Sequence, residues 1–169
     1  STVWYCEYDS LPWMGYHSSY GNMMIGLRFQ NVNIPTNVII DSAMITFTSN
    51  SSSSGSTTSL NIFGENTSSP PTFPTANNAG SCGTADASWN STSNINNRSV
   101  IADSIQWSIT KNWSLDSTYN TPDLKRIVES IINISDWESS DNSMVFVIQD
   151  DGSQAGYRSI HSYDSDPLK

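Results

Sequence analysis

The chain is expected to be mainly β, a jelly-roll-like antiparallel β-sandwich with one amphipathic α-helix at about 122–133. Three observations predict this. Short runs with β-strand character recur along the 169 residues, separated by clusters of Ser, Asn, Gly and Pro. One stretch alone has the helical period, with Leu124, Ile127, Val128, Ile131 and Ile132 on one stripe and Lys125, Arg126, Glu129 and Ser130 opposite. It feeds Met144-Val145-Phe146-Val147-Ile148, an apolar, β-branched run that reads as a buried strand.

In chain order, Ser1 to Tyr8 reads as a strand whose two faces both carry large groups: Val3, Tyr5 and Glu7 on one, Trp4, Cys6 and Tyr8 on the other. Both faces want cover, an unusual load for a chain terminus. Residues 9–22 read as a loop or irregular strand. Met23 to Gln30 is a strand ended by Asn33-Ile34-Pro35, and Val38 to Thr48 is the next, with Ile40, Ala43, Ile45 and Phe47 inward. A serine-rich loop separates it from the strand Ser59 to Glu65. The polar stretch from Asn66 to Asn97 is too long for a structureless loop unless it is pinned or functional. Val100 to Ile109 is a strand with Ile105, Trp107 and Ile109 on one face. Thr121-Pro122-Asp123 has the order of a helix start: a capping hydroxyl, a first-turn proline, then an acid at the positive end of the dipole. Gly156 to Tyr163 is the last strand, after the turn Asp150-Asp151-Gly152.

Composition narrows the function. Only 14% of residues are charged, and seven Lys and Arg against sixteen Asp and Glu leave a net charge of −9. A chain so poor in bases is a weak match for nucleic acid or for anionic lipid. No apolar run approaches the roughly 20 residues of a membrane span, so no membrane insertion is expected. No leader pattern is visible, and the sequence reads as a mature form. Two cysteines, scarce lysine and six Asn-x-Ser/Thr triplets suggest an oxidising, extracellular setting, secreted or at a cell surface. The triplets, at Asn50, Asn66, Asn90, Asn97, Asn112 and Asn133, are the expected glycosylation sites. Asn50, Asn66 and Asn90 lie in polar tracts that tolerate a glycan, whereas Asn133 requires an exposed helix end.

Catalytic signals are missing. His17 and His161 are the only histidines, and no serine sits in a Gly-x-Ser-x-Gly elbow. Glu7, Glu65, Glu129 and Glu138 form no recognisable glycosidase pair. Asp150, Asp151, Asp164 and Asp166 do not match a calcium-loop spacing and read as turn residues. No metal or cofactor is expected. Cys6 and Cys82, without a Cys-x-x-Cys or paired histidines, read as a disulfide within or between chains. Of the aromatic residues, Trp107 alternates with core positions. Trp13, Trp89 and Trp113 occupy loop-like stretches and, with Tyr16 and Tyr20, are the candidate sugar-stacking platforms.

Several runs carry a family resemblance. Gly26-Leu27-Arg28-Phe29-Gln30-Asn31-Val32-Asn33-Ile34-Pro35, then Ile40-Asp41-Ser42-Ala43-Met44-Ile45-Thr46-Phe47, resemble a pattern of the DNRLRE-type and disaggregatase-related extracellular domains, relatives of carbohydrate-binding modules. The likeness continues at Ser59 to Glu65, Gln106 to Ile109, Thr121 to Leu124, Trp137 and Tyr163 to Pro167, and covers roughly 20–167. It implies a jelly-roll-like sandwich of secreted and cell-surface proteins, often beside glycan-active domains. Two departures stand out: an insertion at about 76–96, and the loss of the apolar strand that usually follows the Tyr163-Asp164 stretch.

A sandwich one strand short leaves a groove beside residues 156–163, and the N-terminal strand of a neighbour can fill it. The expected organisation is therefore an N-terminal strand at 1–9, either donated to a neighbouring subunit or folded back into its own sheet, and a single β-sandwich domain over 10–169 with the insertion at about 76–96. Val3, Trp4, Tyr5 and Tyr8 are the expected interface residues. The expected function is a non-enzymatic, secreted structural subunit of an extracellular filament or surface adhesive layer. Its partners are other copies of itself in a head-to-tail polymer, with covalent N-glycans or bound polysaccharide. The alternative is a carbohydrate-binding module using Trp13, Trp89 and Trp113.

Overall fold

The structure is a computed structural model that describes residues 12–53, 57–73, 94–137 and 142–161. Cys6, Cys82, Trp89, Asn90, the strand expected at 1–8, residues 76–93 of the insertion and residues after 161 lie outside them. The protein is mainly β, with two antiparallel sheets and one short helix. Eight strands are described: β1 (Trp13–His17), β2 (Gly21–Val32), β3 (Thr46–Thr48), β4 (Thr58–Glu65), β5 (Val100–Ile109), β6 (Thr118–Asn120), β7 (Asn142–Asp150) and β8 (Tyr157–Ser159). The helix α1 is Lys125–Ile132. Six strands form one sheet in the order β5-β4-β7-β2-β1-β8, and β3 pairs with β6 in the other. The hairpin at β1 and β2 replaces the irregular segment expected at 9–22, because Gly21 at φ 79° supplies the left-handed residue its turn requires.

Strand β7 sits in the interior of the large sheet, and its alternation divides the core. Met144, Phe146 and Ile148 join the main cluster with Ile25, Leu60, Ile62, Phe47, Trp107 and the helix stripe. Val145 and Val147 point the other way and pack with Ile95, Met24 and Phe73. Each face is approached closely at a glycine. A Cβ on Gly64 would lie 2.7 Å from Ile127 and 2.9 Å from Ile131, so the helix rests directly on β4. A Cβ on Gly26 would lie 2.3 Å from the Phe73 ring. The second face is held by a buried ion pair: Arg98 Nη1 donates to Glu65 Oε2 at 2.6 Å, and Nη2 donates to the Pro71 carbonyl at 2.7 Å. The guanidinium also lies 4.1 Å above the Phe73 ring. Residues 66–73 and 94–98 are thereby pinned to the sheet.

The helix buries Ile127, Val128, Ile131 and Ile132, as its stripe predicts, each worth about 1.5–3 kcal/mol of apolar burial. Its start differs from the expected one. Thr121 does not cap it; Thr121 Oγ1 accepts instead from the Ile45 amide at 3.1 Å, and helical geometry begins only at Lys125. The N-cap is Leu124, which makes no side-chain cap bond, and Asp123 just before it accepts from the amides of Lys125 and Ala43, both at 3.0 Å.

The same bonds correct the strand expected at 38–48, of which only 46–48 is strand. The inward set Ile40, Ala43, Ile45 and Phe47 does pack on the core. The backbone, however, pairs with the helix region rather than with a strand: Ile40 N–H donates to Glu129 Oε1 at 3.0 Å, and Leu124 N–H to the Ala43 carbonyl at 2.7 Å. Glu129, expected on an outer face, holds this segment.

The groove expected beside 156–163 is closed over residues 159–161. Strand β8 pairs with β1 on one side. On the other, Ser49 bridges Ile160, with Asn50 N–H donating to the Ser159 carbonyl at 3.1 Å and His161 N–H to the Thr48 carbonyl at 3.0 Å. These bonds join the two sheets at one corner.

Removing one member of the buried pair leaves an uncompensated charge, so Glu65→Gln and Arg98→Met should each cost about 3–5 kcal/mol in urea unfolding. The double variant Glu65→Leu/Arg98→Met should cost less than either alone. The Ala43 and Lys125 amides, and the Lys125 charge, hold the Asp123 carboxyl below the usual carboxylate range. A depressed value means stability present above the unfolded-state pKa and lost as pH falls through the folded one. Asp123→Ala should therefore be destabilised at neutral pH, with the gap to the parent protein closing on acidification in pH-dependent urea melts.

Candidate functional site

Two features of the surface lie outside the core. The first is aromatic. Gly15, at φ 108°, sits in β1 opposite Tyr157, where a Cβ would lie 2.4 Å from the Gly156 carbonyl oxygen and 3.2 Å from the Tyr157 Cα. The Tyr157 ring lies against both of its neighbours, 5.1 Å from Trp13 and 4.9 Å from His17. Trp13 and His17 stack at 5.1 Å with 26° between their planes. The turn after β1, closed by Tyr20 N–H donating to the His17 carbonyl at 3.1 Å, brings the Tyr20 ring to 5.5 Å from Trp13 and 4.8 Å from His17. Tyr20 is 51% exposed and Tyr157 36%, while Trp13 and His17 are half-buried beneath them. The Ser19 amide donates to His17 Nδ1 at 3.1 Å, which assigns the ring proton of the neutral imidazole to Nε2.

The second feature is an edge. Among the described residues β5 pairs with β4 alone, so its outer row of backbone groups has no ladder partner there. The strand is ten residues long, roughly 33 Å. It contains no Pro or Lys, and its one charged residue, Asp103, is paired with Arg126 of the helix. Val100 is exposed, while Ile101 and Ile105 are partly buried against the core.

The predicted platforms fare differently. Trp13 belongs to the aromatic cluster. Trp113 is 2% exposed and corrects the expectation: its ring stacks on Tyr119 at 4.3 Å and 2°, lies 6.0 Å from Trp107, and has the Arg158 guanidinium 5.9 Å away. A bridge between Ser53 and Trp113 turns this stretch inward. Tyr157 and His17 were not singled out as platforms from sequence. The signal was present in the Gly-Tyr pairs Gly15-Tyr16 and Gly156-Tyr157, but strand register was needed to bring them together.

Other predicted positions are placed as follows. Asn66, Asn97, Asn112 and Asn133 are exposed. Asn50 is half-buried with its Nδ2 3.3 Å from His161 Nδ1, a contact that a glycan on the same nitrogen would disturb. Both His161 nitrogens are engaged, Nε2 lying 3.1 Å from Asp116. Asp150 and Asp151 act as turn residues: Asp150 accepts from the Gly152 amide at 2.8 Å, and Asp151 from the Ser153 amide at 2.9 Å. The bonds from Ser153, with one from Gln106, hold the Asp151 carboxyl below its usual range. Among the described residues, no group of three or more His, Cys, Asp and Glu is placed to hold a metal, and no helix is long and apolar enough to cross a membrane.

No family model, curated protein or solved structure matches this chain, so its function has to be read from its own residues.

The two aromatic positions should separate in stability. Trp113→Ala opens a cavity in the core and should cost about 3–5 kcal/mol. Tyr20→Ala should stay within about 0.5 kcal/mol of the parent. Thermal melts by circular dichroism distinguish them.

Proposed function

We propose that the protein is a non-enzymatic, secreted structural subunit of an extracellular filament or surface adhesive layer, assembled head-to-tail by strand addition. The N-terminal segment, with Val3, Trp4, Tyr5 and Tyr8, is the donor, and the outer edge of β5 is the acceptor. The observation that carries this is the β5 edge: ten residues of strand backbone, paired on one side among the described residues and lacking Pro, Lys and unpaired charge. Soluble β proteins usually protect such an edge with those devices, and an edge without them is a template for another strand.

The acceptor moves from residues 156–163 to β5, because Ser49 and β1 occupy the two sides of the last described strand. Donor and acceptor are different surfaces, so the contact is heterologous and propagates unless its rotation closes a ring. The low lysine content, the two cysteines and the sequons at exposed Asn66, Asn97, Asn112 and Asn133 support a secreted, glycosylated subunit.

The purified chain should elute as very large species on size exclusion and show fibres by negative-stain electron microscopy. Ala102→Lys/Ser108→Lys, which places two charges on exposed β5 positions, should leave it folded and monomeric. A parent chain that stays monomeric at high concentration sinks the proposal. Fibres unaffected by the two lysines would remove β5 as the acceptor.

A further inference from the structure

The aromatic cluster is not needed for strand addition, and its chemistry is narrower than that of a general sticky patch. We propose that Trp13, His17, Tyr20 and Tyr157 form a binding site for a neutral glycan, with a pyranose ring stacked on the exposed rings of Tyr20 and Tyr157.

The composition of the patch argues for this class of ligand. Four rings converge with centroid separations of 4.8–5.5 Å, and all four side chains carry a polar atom at the rim: an indole N–H, an imidazole and two phenols. A sugar has the matching chemistry, weakly polar C–H groups on its faces and hydroxyls around its edge. Nucleobases also stack on aromatic rings, but they bring phosphates, and a chain with net charge −9 and seven basic residues repels them. The same balance selects neutral over acidic sugars.

The site is also held in shape before any ligand arrives. Gly15 and the Tyr16 amide, which donates to the Gly156 carbonyl at 2.8 Å, fix the antiparallel pairing of β1 with β8 that carries the rings. The Ser19 amide orients the His17 ring and leaves Nε2–H as a donor for a sugar hydroxyl. Ser18 and Ser19 are exposed in the same turn. Two half-buried rings supporting two exposed ones mean that little side-chain freedom is lost on binding.

The test uses the full chain and a panel of neutral gluco-, manno-, galacto- and N-acetylhexosamine oligosaccharides, read by titration calorimetry and by the NMR signal of the Trp13 indole N–H. Saturable binding to at least one series is expected, weakened roughly three- to tenfold by Tyr157→Ala and again by Tyr20→Ala. Leu115→Ala, an exposed apolar residue outside the cluster, should leave affinity unchanged. The indole shift in the parent protein reports contact even where a variant folds poorly. Failure of every series to bind, or binding indifferent to both tyrosine variants, overturns the proposal. So does loss of assembly in those variants without sugar binding, which would make the patch a contact between copies.

Discussion

Backbone N–H and C=O groups must find partners, and the molecule is arranged around how each stretch of its β structure meets that demand. In the large sheet the ladders do it: β7 is paired on both sides, to β2 and to β4. Among the described residues the segment before β3 has no strand beside it, and Thr121, Asp123 and Glu129 take amides of it instead. The helix therefore acts as a lateral partner for a strand-like segment as well as a cover for the core. Its polar residues are placed by that duty, which is why the first turn is not capped as its sequence suggests.

The helix can serve both duties only because it lies close. Gly64 lets Ile127 and Ile131 descend onto β4, and on the opposite face Gly26 admits the Phe73 ring. That second face is covered by proline-containing chain whose apolar contacts there are small, Ile95 and Phe73 against Val145 and Val147. The buried Arg98–Glu65 pair supplies the anchor, and the Pro71 carbonyl with the Phe73 ring completes the surroundings of the guanidinium. Such a pair is costly to break and adds modest net stability when whole. Its effect is positional.

Against this background the two surfaces proposed for binding are the places where the molecule leaves something over. The β5 edge leaves backbone groups, and the cluster at the start of β1 leaves aromatic faces. They call for different partners, a strand in one case and a flat ring with polar edges in the other. They lie at opposite ends of the strand order, β5 at one edge of the large sheet and β1 beside β8 at the other.

Side-chain periodicity alone determined the mainly β class, the strands at β2, β4, β5 and β7, and the helix stripe of Leu124, Ile127, Val128, Ile131 and Ile132, all buried as the pattern requires. The inward residues Ile40, Ala43, Ile45 and Phe47 were also picked correctly, since apolar residues mark the side of a segment that meets the core. Alternation does not report what lies beside the backbone. Hence residues 38–45 read as strand although the Ile40, Ala43 and Ile45 amides bond to the side chains of Glu129, Asp123 and Thr121, and Thr121 read as a cap although its hydroxyl belongs to Ile45. Trp113 read as a candidate platform in a loop-like stretch because nothing local announces the bridge to Ser53. The gathering of Trp13, His17, Tyr20 and Tyr157 was decided by the register of β1 on β8, a pairing between residues more than a hundred positions apart. Hydrophobic pattern is a property of neighbours along the chain; lateral pairing and long-range register exist only once the chain has folded.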